Sequence, residues 1–339
     1  VRKNIFATVW TVSLYATVCI VISHFQKKKL YFEFGANETY DIQFIMIKKS
    51  TDHWALILGA SSGFGAATAR ELARHGYSIL GVHLDRQASM PAVNSLIGDI
   101  RRQGVTAEFY NVNAADQHKR HAVLDDFVEK YHETGRVEIR VLMHSLAFGT
   151  LRPLVGRDPA DSIKKTQLEM TLDVMANSLI YWTQDCISRE LIGRGTRIFA
   201  MTSDGANLNL PYYGAVSAAK AALESYIRQL ALELGPLGVT CNALLAGVTD
   251  TPALGKIPGA RNMLYAAKSK NPFGRATLPQ DIAKAVVALL QPGTRFINGN
   301  TIGVDGGESK ISYIGQVDTY NYADLTLLGE SALDPSDLT

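Results

Sequence analysis

The feature that most constrains this chain is a glycine turn set between an apolar strand and a helix. Ala55-Leu56-Ile57-Leu58 runs into Gly59-Ala60-Ser61-Ser62-Gly63-Phe64-Gly65, and Ala66-Ala67-Thr68-Ala69-Arg70-Glu71-Leu72-Ala73 leaves it with helical character. Glycines let backbone N–H groups approach a pyrophosphate, and the helix start adds a dipole that favours it. An acid, Asp85, follows Gly65 by 20 residues, at the end of a second strand read over Ser78–Leu84. Spaced glycines alone also make ordinary tight turns. Strand, turn, helix and distant acid in this order point to a nucleotide site.

A second constellation lies in Leu210-Pro211-Tyr212-Tyr213-Gly214-Ala215-Val216-Ser217-Ala218-Ala219-Lys220. Tyr213 and Lys220 stand seven residues apart, two helical turns, so one face carries both when Tyr213 sits at the helix start. A phenol held near an ammonium is an acid that stabilises or protonates a developing oxyanion. The plainer reading is a pair of surface residues opening an amphipathic helix.

With both ends in view, residues 52–310 resemble the short-chain dehydrogenase/reductase family. Gly59, Gly63 and Gly65 match its glycine motif, and Ile297-Asn298-Gly299-Asn300-Thr301-Ile302-Gly303-Val304-Asp305-Gly306-Gly307 matches its closing strand and turn. Asn242 to Thr251 matches the segment that wraps the nicotinamide carboxamide, with Val248 where many members carry proline. Most members place the tyrosine at the position held here by Val216. Tyr213, with six residues before the lysine, is similar instead to the enoyl-acyl-carrier-protein reductases, the branch that reduces a carbon–carbon double bond. Met143-His144-Ser145-Leu146-Ala147-Phe148-Gly149, Thr202-Ser203-Asp204-Gly205-Ala206 and the cover segment Pro252–Asp281 resemble the same branch. Ser203 lies where its best-known members have a second tyrosine, which, with Leu151-Arg152-Pro153, resembles a divergent type. Ser203 is equally the catalytic serine position of ordinary carbonyl-reducing members, whose active-site asparagine is here Met175.

The resemblance implies a single Rossmann-like, doubly wound parallel α/β sheet of about seven strands, with helices on both faces. It implies cofactor contacts from Gly59, Ser61, Ser62, Gly63, Phe64 and Gly65, and from Ser145, Leu146, Ala147, Lys220, Gly247, Val248 and Thr251. Asn111 and Val112, ending the third strand, bound the adenine pocket or make an ordinary turn. The Asp85 carboxylate accepts from ribose hydroxyls and repels a 2′-phosphate, favouring NADH; Arg86 beside it leaves NADPH open. Ala147, Phe148, Leu210 and Tyr213 line the substrate channel. His144, at a strand end, reads as a titrating group or a satisfied structural residue. Three functions follow. One is reduction of a trans-2-enoyl thioester of fatty-acid synthesis, with Tyr213 as oxyanion stabiliser, Lys220 as its support through a lowered phenol pKa, and Ser203 beside them. The second is carbonyl or alcohol oxidoreduction through Ser203, Tyr213 and Lys220; the third is a non-catalytic NAD(H)-binding regulator. The family likeness also implies a homotetramer, with an acyl carrier protein docked on a basic rim at Lys256, Arg261, Lys268 and Lys270; a solvated helix face explains those charges equally.

Composition narrows the field. With 47% hydrophobic and 19% charged residues over 339, the chain has material for a substantial core, and a net charge of +2 gives no sign of nucleic-acid binding. Cys19, Cys186 and Cys241 lack metal-ligand spacing and read as thiols of a reducing, cytoplasmic compartment; no metal is expected. Ile5 to Phe25 is an uncharged, mostly apolar run long enough to span a bilayer, flanked by Arg2-Lys3 and Lys27-Lys28-Lys29. Residues 1–45 are therefore a membrane-anchoring extension or an over-extended start ahead of Met46. The reductase domain is read over 46–310, and 311–339 as a solvated tail.

Strand and helix signals alternate between the landmarks. Strands are expected over Val105–Val112, Glu138–His144, Thr196–Met201, Val239–Leu244 and Thr301–Val304. Helices are expected over Ala92–Gln103, Lys119–Tyr131, Asp161–Glu190, Tyr213–Leu234 and Pro279–Leu290.

Overall fold

The computed structural model describes residues 53–132 and 137–311, together with short strands at 33–34 and 38–39. The chain divides into two compact units, Val1–Ile47 and Lys48–Thr339. In the first, Glu33–Phe34 pairs antiparallel with Glu38–Thr39. The apolar run 5–25 and the tail beyond residue 311 lie outside the described residues. Among the described residues no helix is long and apolar enough to cross a membrane, and no His/Cys/Asp/Glu group could hold a metal ion.

The second unit is built on seven parallel strands: β1 (His53–Leu58), β2 (Ser78–His83), β3 (Ala107–Asn111), β4 (Glu138–His144), β5 (Arg197–Ser203), β6 (Thr240–Ala246) and β7 (Thr301–Val304). Their order in the sheet is β3-β2-β1-β4-β5-β6-β7. The chain starts mid-sheet, walks to one edge, then returns to lay β4 beside β1. That reversal leaves a crevice at the carboxyl ends of β1 and β4, the place where open α/β sheets take ligands. Strands β2 and β6 are buried at every position, because helices cover both faces.

Alternate residues of each strand feed two cores. Leu56, Leu58, Leu142 and Ile198 join Phe127, Trp182 and Leu223 on one face, where α3 (Gln117–His132), α5 (Ser178–Ser188) and α6 (Gly214–Leu234) pack. Ala55, Ile57, Met143 and Phe199 join Leu72, Leu96 and Ile282 on the other, under α1 (Gly63–Arg74), α2 (Met90–Arg101) and α8 (Pro279–Leu289). The period of two along a strand thus splits its side chains between two helical layers.

Several boundaries differ from the sequence reading. Strand β3 begins at Ala107 because Gly104, at φ +79°, and its neighbours complete the turn that closes α2. Strands β5 and β6 run on to a Ser203/Ala246 pairing, past the expected ends at Met201 and Leu244. The single helix expected over 161–190 is α4 (Lys165–Leu172), a π turn at Asp173–Asn177, and α5. Asp158 accepts from the Ala160 N–H and fixes a separate turn ahead of α4. The Ser178 hydroxyl donates to the Val174 carbonyl within the π turn, a local bond that periodicity does not reveal.

The turn after β1 is the tightest point of the fold. A Cβ on Gly65 would lie 2.1 Å from the Gly59 carbonyl oxygen, and one on Gly59 2.4 Å from that of Ser145. Both obstacles are backbone and cannot swing away. Gly65→Ala should therefore cost about 3 kcal/mol or more, read as a lowered midpoint in denaturant unfolding; an unchanged midpoint would show that the turn relaxes freely.

Candidate active site

The crevice begins at Gly59, whose φ of +89° turns the chain out of β1, with its N–H and that of Ala60 both donating to the Val82 carbonyl. Helix α1 then starts without a side-chain cap from Ser62 and without an acid in its first turn. Its first N–H groups are left for an outside acceptor, and a carboxylate that would repel an anion is absent. Ser61, half-buried, and Ser62, exposed, flank this cradle, with Phe64 packed beside the core. On the far side, the Thr251 methyl stands 3.5 Å from where a Gly63 Cβ would be, so the loop after β6 approaches the glycine turn closely. Bare helix start, side-chain-free backbone and this narrow approach fit a pyrophosphate.

At the end of β2, Asp85 is clamped from two directions. Its N–H donates to Asn111 Oδ1 at 2.9 Å, and Asn111 Nδ2 donates to its carbonyl at 2.9 Å. Asn111 therefore acts here as a clamp on the acid rather than an ordinary turn residue. The buried His83 ring holds the carboxylate through Nδ1 at 2.9 Å. Val112 continues β3 by donating to the His83 carbonyl, while Arg86 is exposed and free of salt bridges among the described residues.

At the end of β4, Ser145 donates its N–H to Leu58, and Leu146 packs on the core; Ala147 and Phe148 are exposed. His144 is fully buried. Ser178 already donates to Val174, so toward His144 Nε2, at 2.9 Å, its oxygen must accept. Burial, with Lys220 adding to it, holds the imidazole pKa down at about 3. His144 is thus held neutral in the ligand-free protein, bonded to Ser178 through Nε2 and with Nδ1 enclosed without a partner.

Tyr213 occupies the N-cap of α6, where the spacing argument requires it. Its ring covers Gly205: a Cβ there would lie 2.6 Å from the ring and 3.3 Å from Ser203 Oγ. Phenol and serine hydroxyl are brought together over one glycine. Burial raises the Tyr213 pKa, opposed by the Ser203 hydroxyl, and Ser203 Oγ is otherwise without a hydrogen bond of good geometry. The lowering by Lys220 expected from the sequence is not found, because the ammonium turns elsewhere. Lys220 Nζ donates to the Met201 carbonyl at 2.7 Å, deep in the protein, and desolvation lowers its pKa to about 8 against the pull of Glu224.

Val216, one turn along, is buried against Met175; both, with Thr171, close around Gly149. The two positions where ordinary members carry tyrosine and asparagine form a packing contact and present no polar atom. After β6, Gly247 and Val248 lead to Thr249, whose hydroxyl returns to the Gly247 carbonyl, and Thr251, whose Oγ1 caps the turn at Leu254. The Val248 N–H donates to Glu308, a buried carboxylate that sequence reasoning missed because it follows the Gly306-Gly307 turn with no spacing signal of its own. Thr202 donates to Glu224 at 2.7 Å and so anchors the acid one turn beyond Lys220.

A glycine cradle at the switch point, a serine at a strand end and a tyrosine and buried lysine on α6 define a nucleotide-dependent oxidoreductase. A family model described as Enoyl-(Acyl carrier protein) reductase matches residues 59–309. The chain is 29% identical over 263 residues to the L-rhamnose 1-dehydrogenase (NAD(P)(+)) of Azotobacter vinelandii, covering 76% of this chain and 96% of that protein. It is 27% identical over 189 residues to the enoyl-[acyl-carrier-protein] reductase [NADH] of Aquifex aeolicus, covering 56% and 69%. The solved structure of an Aquifex aeolicus enoyl-[acyl-carrier-protein] reductase (NADH) matches with a TM-score of 0.64 at 23% identity, over 78% of this chain and 98% of that one. The chain belongs to the short-chain dehydrogenase/reductase family.

Two outcomes follow from the site's geometry. Tyr212, next to the candidate acid, is 48% exposed and sits at φ +64°, a region that costs a bulky residue about 1 kcal/mol. Tyr212→Asn, which suits that backbone, should raise stability by about 1 kcal/mol in denaturant unfolding. Lys220 binds its proton more weakly folded than unfolded, so its contribution to stability rises with pH between about 8 and its ordinary 10.5. Lys220→Met should therefore stabilise the ligand-free protein by about 1–3 kcal/mol at pH 7, a gain that shrinks above pH 8 in thermal unfolding.

Proposed function

We propose that this oxidoreductase reduces the carbon–carbon double bond of a trans-2-enoyl thioester, with NADH as the preferred cofactor and NADPH accepted less well. The observation that carries this reading is the placement of Tyr213 over Gly205 beside Ser203, while Val216 is sealed against Met175. An acid at the earlier position, and not at Val216, fits a substrate whose oxygen lies two bonds further from the carbon that accepts hydride. A bound nicotinamide would supply that hydride to the β-carbon, and water would supply the proton that completes the α-carbon. Tyr213 donates a hydrogen bond to the thioester oxygen as enolate charge develops there, a contact stronger in the transition state than in the ground state. The raised phenol pKa keeps this proton in place through the neutral range. Ser203, which faces the Tyr213 phenol and has no other partner among the described residues, holds the same oxygen or a water beside it. Lys220, charged below about pH 8, binds the nicotinamide ribose.

Exposed Phe148, Leu154, Leu208 and Leu210 supply an apolar lining for an acyl chain. Lys256 lies 5.9 Å over the Phe148 ring, which sets a positive charge beside that lining, suited to an acidic acyl carrier protein. Assembly as a homotetramer, through α4–α5 and α6, belongs to the same proposal. Asp85, its main chain clamped by Asn111 and its carboxylate held by His83, supports NADH by repelling a 2′-phosphate.

The second reading is reduction of a carbonyl, favoured by the unpartnered Ser203 hydroxyl. Oxidation of NADH, then NADPH, with 2-enoyl thioesters beside a 3-oxoacyl thioester separates the two. Turnover of the enoyl substrate alone is expected; turnover of the oxo substrate alone would replace the proposal with the second reading. Tyr213→Phe should lower kcat by about 10²-fold or more while NADH affinity, read by fluorescence titration, stays within about twofold. Retained turnover would remove Tyr213 as the acid, and a wild-type protein that binds NADH without turnover would be a regulator.

A further inference from the structure

Glu308 lies on the short turn that follows β7 and is only 5% exposed. Its Oε1 accepts the Val248 N–H at 3.2 Å, and its Oε2 is fully enclosed without a hydrogen-bond partner. That second oxygen presses on Gly247: a Cβ there would stand 2.6 Å from Oε2 and 2.5 Å from Thr277 Oγ1. A carboxylate buried with one oxygen unsatisfied is costly, and nothing about the fold of β7 needs one at this place. Among the described residues its hydrogen-bond partner is the amide of Val248, which a proline at that position would not possess.

The turn bearing Glu308 is itself held firmly. Asp305 accepts from the Gly307 and Ser309 N–H groups at 3.0 and 2.8 Å. The Asp305 carbonyl accepts from buried Asn271 Nδ2 at 2.8 Å, and Asn271 caps the end of α7 (Ala260–Lys270), the helix of the substrate-covering segment. A continuous chain of hydrogen bonds therefore joins the end of the cover helix, the C-terminal turn and the loop after β6. Burial raises the Glu308 pKa, with Asp305 and Asp204 adding to the shift; the Val248 N–H and Lys270 oppose it.

We propose that Glu308 is a positioning residue for the cofactor: it holds the Gly247–Thr251 loop in the place from which that loop's backbone meets the nicotinamide end, making the C-terminal turn a working part of the site. This rests on the dinucleotide reading given above. Glu308 acts through Val248 and touches no reacting atom.

The test is a double-mutant cycle on NADH affinity, measured by fluorescence titration, and on the thermal midpoint of the ligand-free protein. Glu308→Leu removes the acceptor and should weaken NADH binding about tenfold, the loss of a hydrogen bond to a charged group. Glu308→Gln keeps an acceptor oxygen of the same shape and should stay within about twofold. Val248→Pro removes the donor. In the double variant V248P/E308L neither partner remains, so the midpoint and the affinity should recover most of what E308L alone loses. Equal affinity in E308Q, E308L and the wild type, or strictly additive losses around the cycle, overturns the proposal and leaves the dinucleotide reading intact. Absence of NADH and NADPH binding by the wild-type protein overturns both.

Discussion

The structure depends on the contact between two pieces of backbone at the centre of the sheet. Gly59 and Gly65 let the start of α1, the end of β1 and the end of β4 come closer than any side chain would permit. That approach sets where β4 must lie after the chain reverses, and so where the crevice opens. Once β1 and β4 are neighbours, the ends of β5 and β6 follow by parallel pairing, which brings Ser203 level with Ala246. Most candidate site residues are then strand-end or post-strand residues, with Tyr213 and Lys220 brought to them by α6. A ligand site of this kind follows from topology before any side chain is considered.

Electrostatics within the crevice is governed by burial more than by pairing. Tyr213 is kept protonated by its desolvation, Lys220 is brought near neutrality by its own, and His144 is held uncharged. The two groups that the sequence invites one to couple, phenol and ammonium, are instead tuned separately, the one beside Ser203 and the other on the Met201 carbonyl. Holding Lys220 on a main-chain carbonyl keeps its ammonium off the phenol.

Much of this was legible in the residues. The apolar run into a glycine turn fixed β1 and α1, because periodicity and glycine spacing act over a few residues, and β4 and β7 have the expected bounds for the same reason. The helix expected over Tyr213–Leu234 is found with Tyr213 at its N-cap, because its apolar periodicity is local. The π turn at Asp173–Asn177 was not legible, since the apolar pattern runs through it almost unchanged. His144 kept two readings in the sequence because its identity is the same whether it faces solvent or Ser178; only burial separates them.

By itself, then, the sequence determined the local elements, the doubly wound alternation and the residue types available at each strand end. Tertiary structure alone decided which partners those residues take. Glu308 meets Val248 across 60 positions, Asn111 clamps Asp85 across 26, and Lys220 turns to Met201 across 19. The physical reason is that periodicity and turn chemistry are short-range, whereas a buried polar group's partner, and with it the group's charge and orientation, is set by whatever the packed sheet brings within about 3 Å.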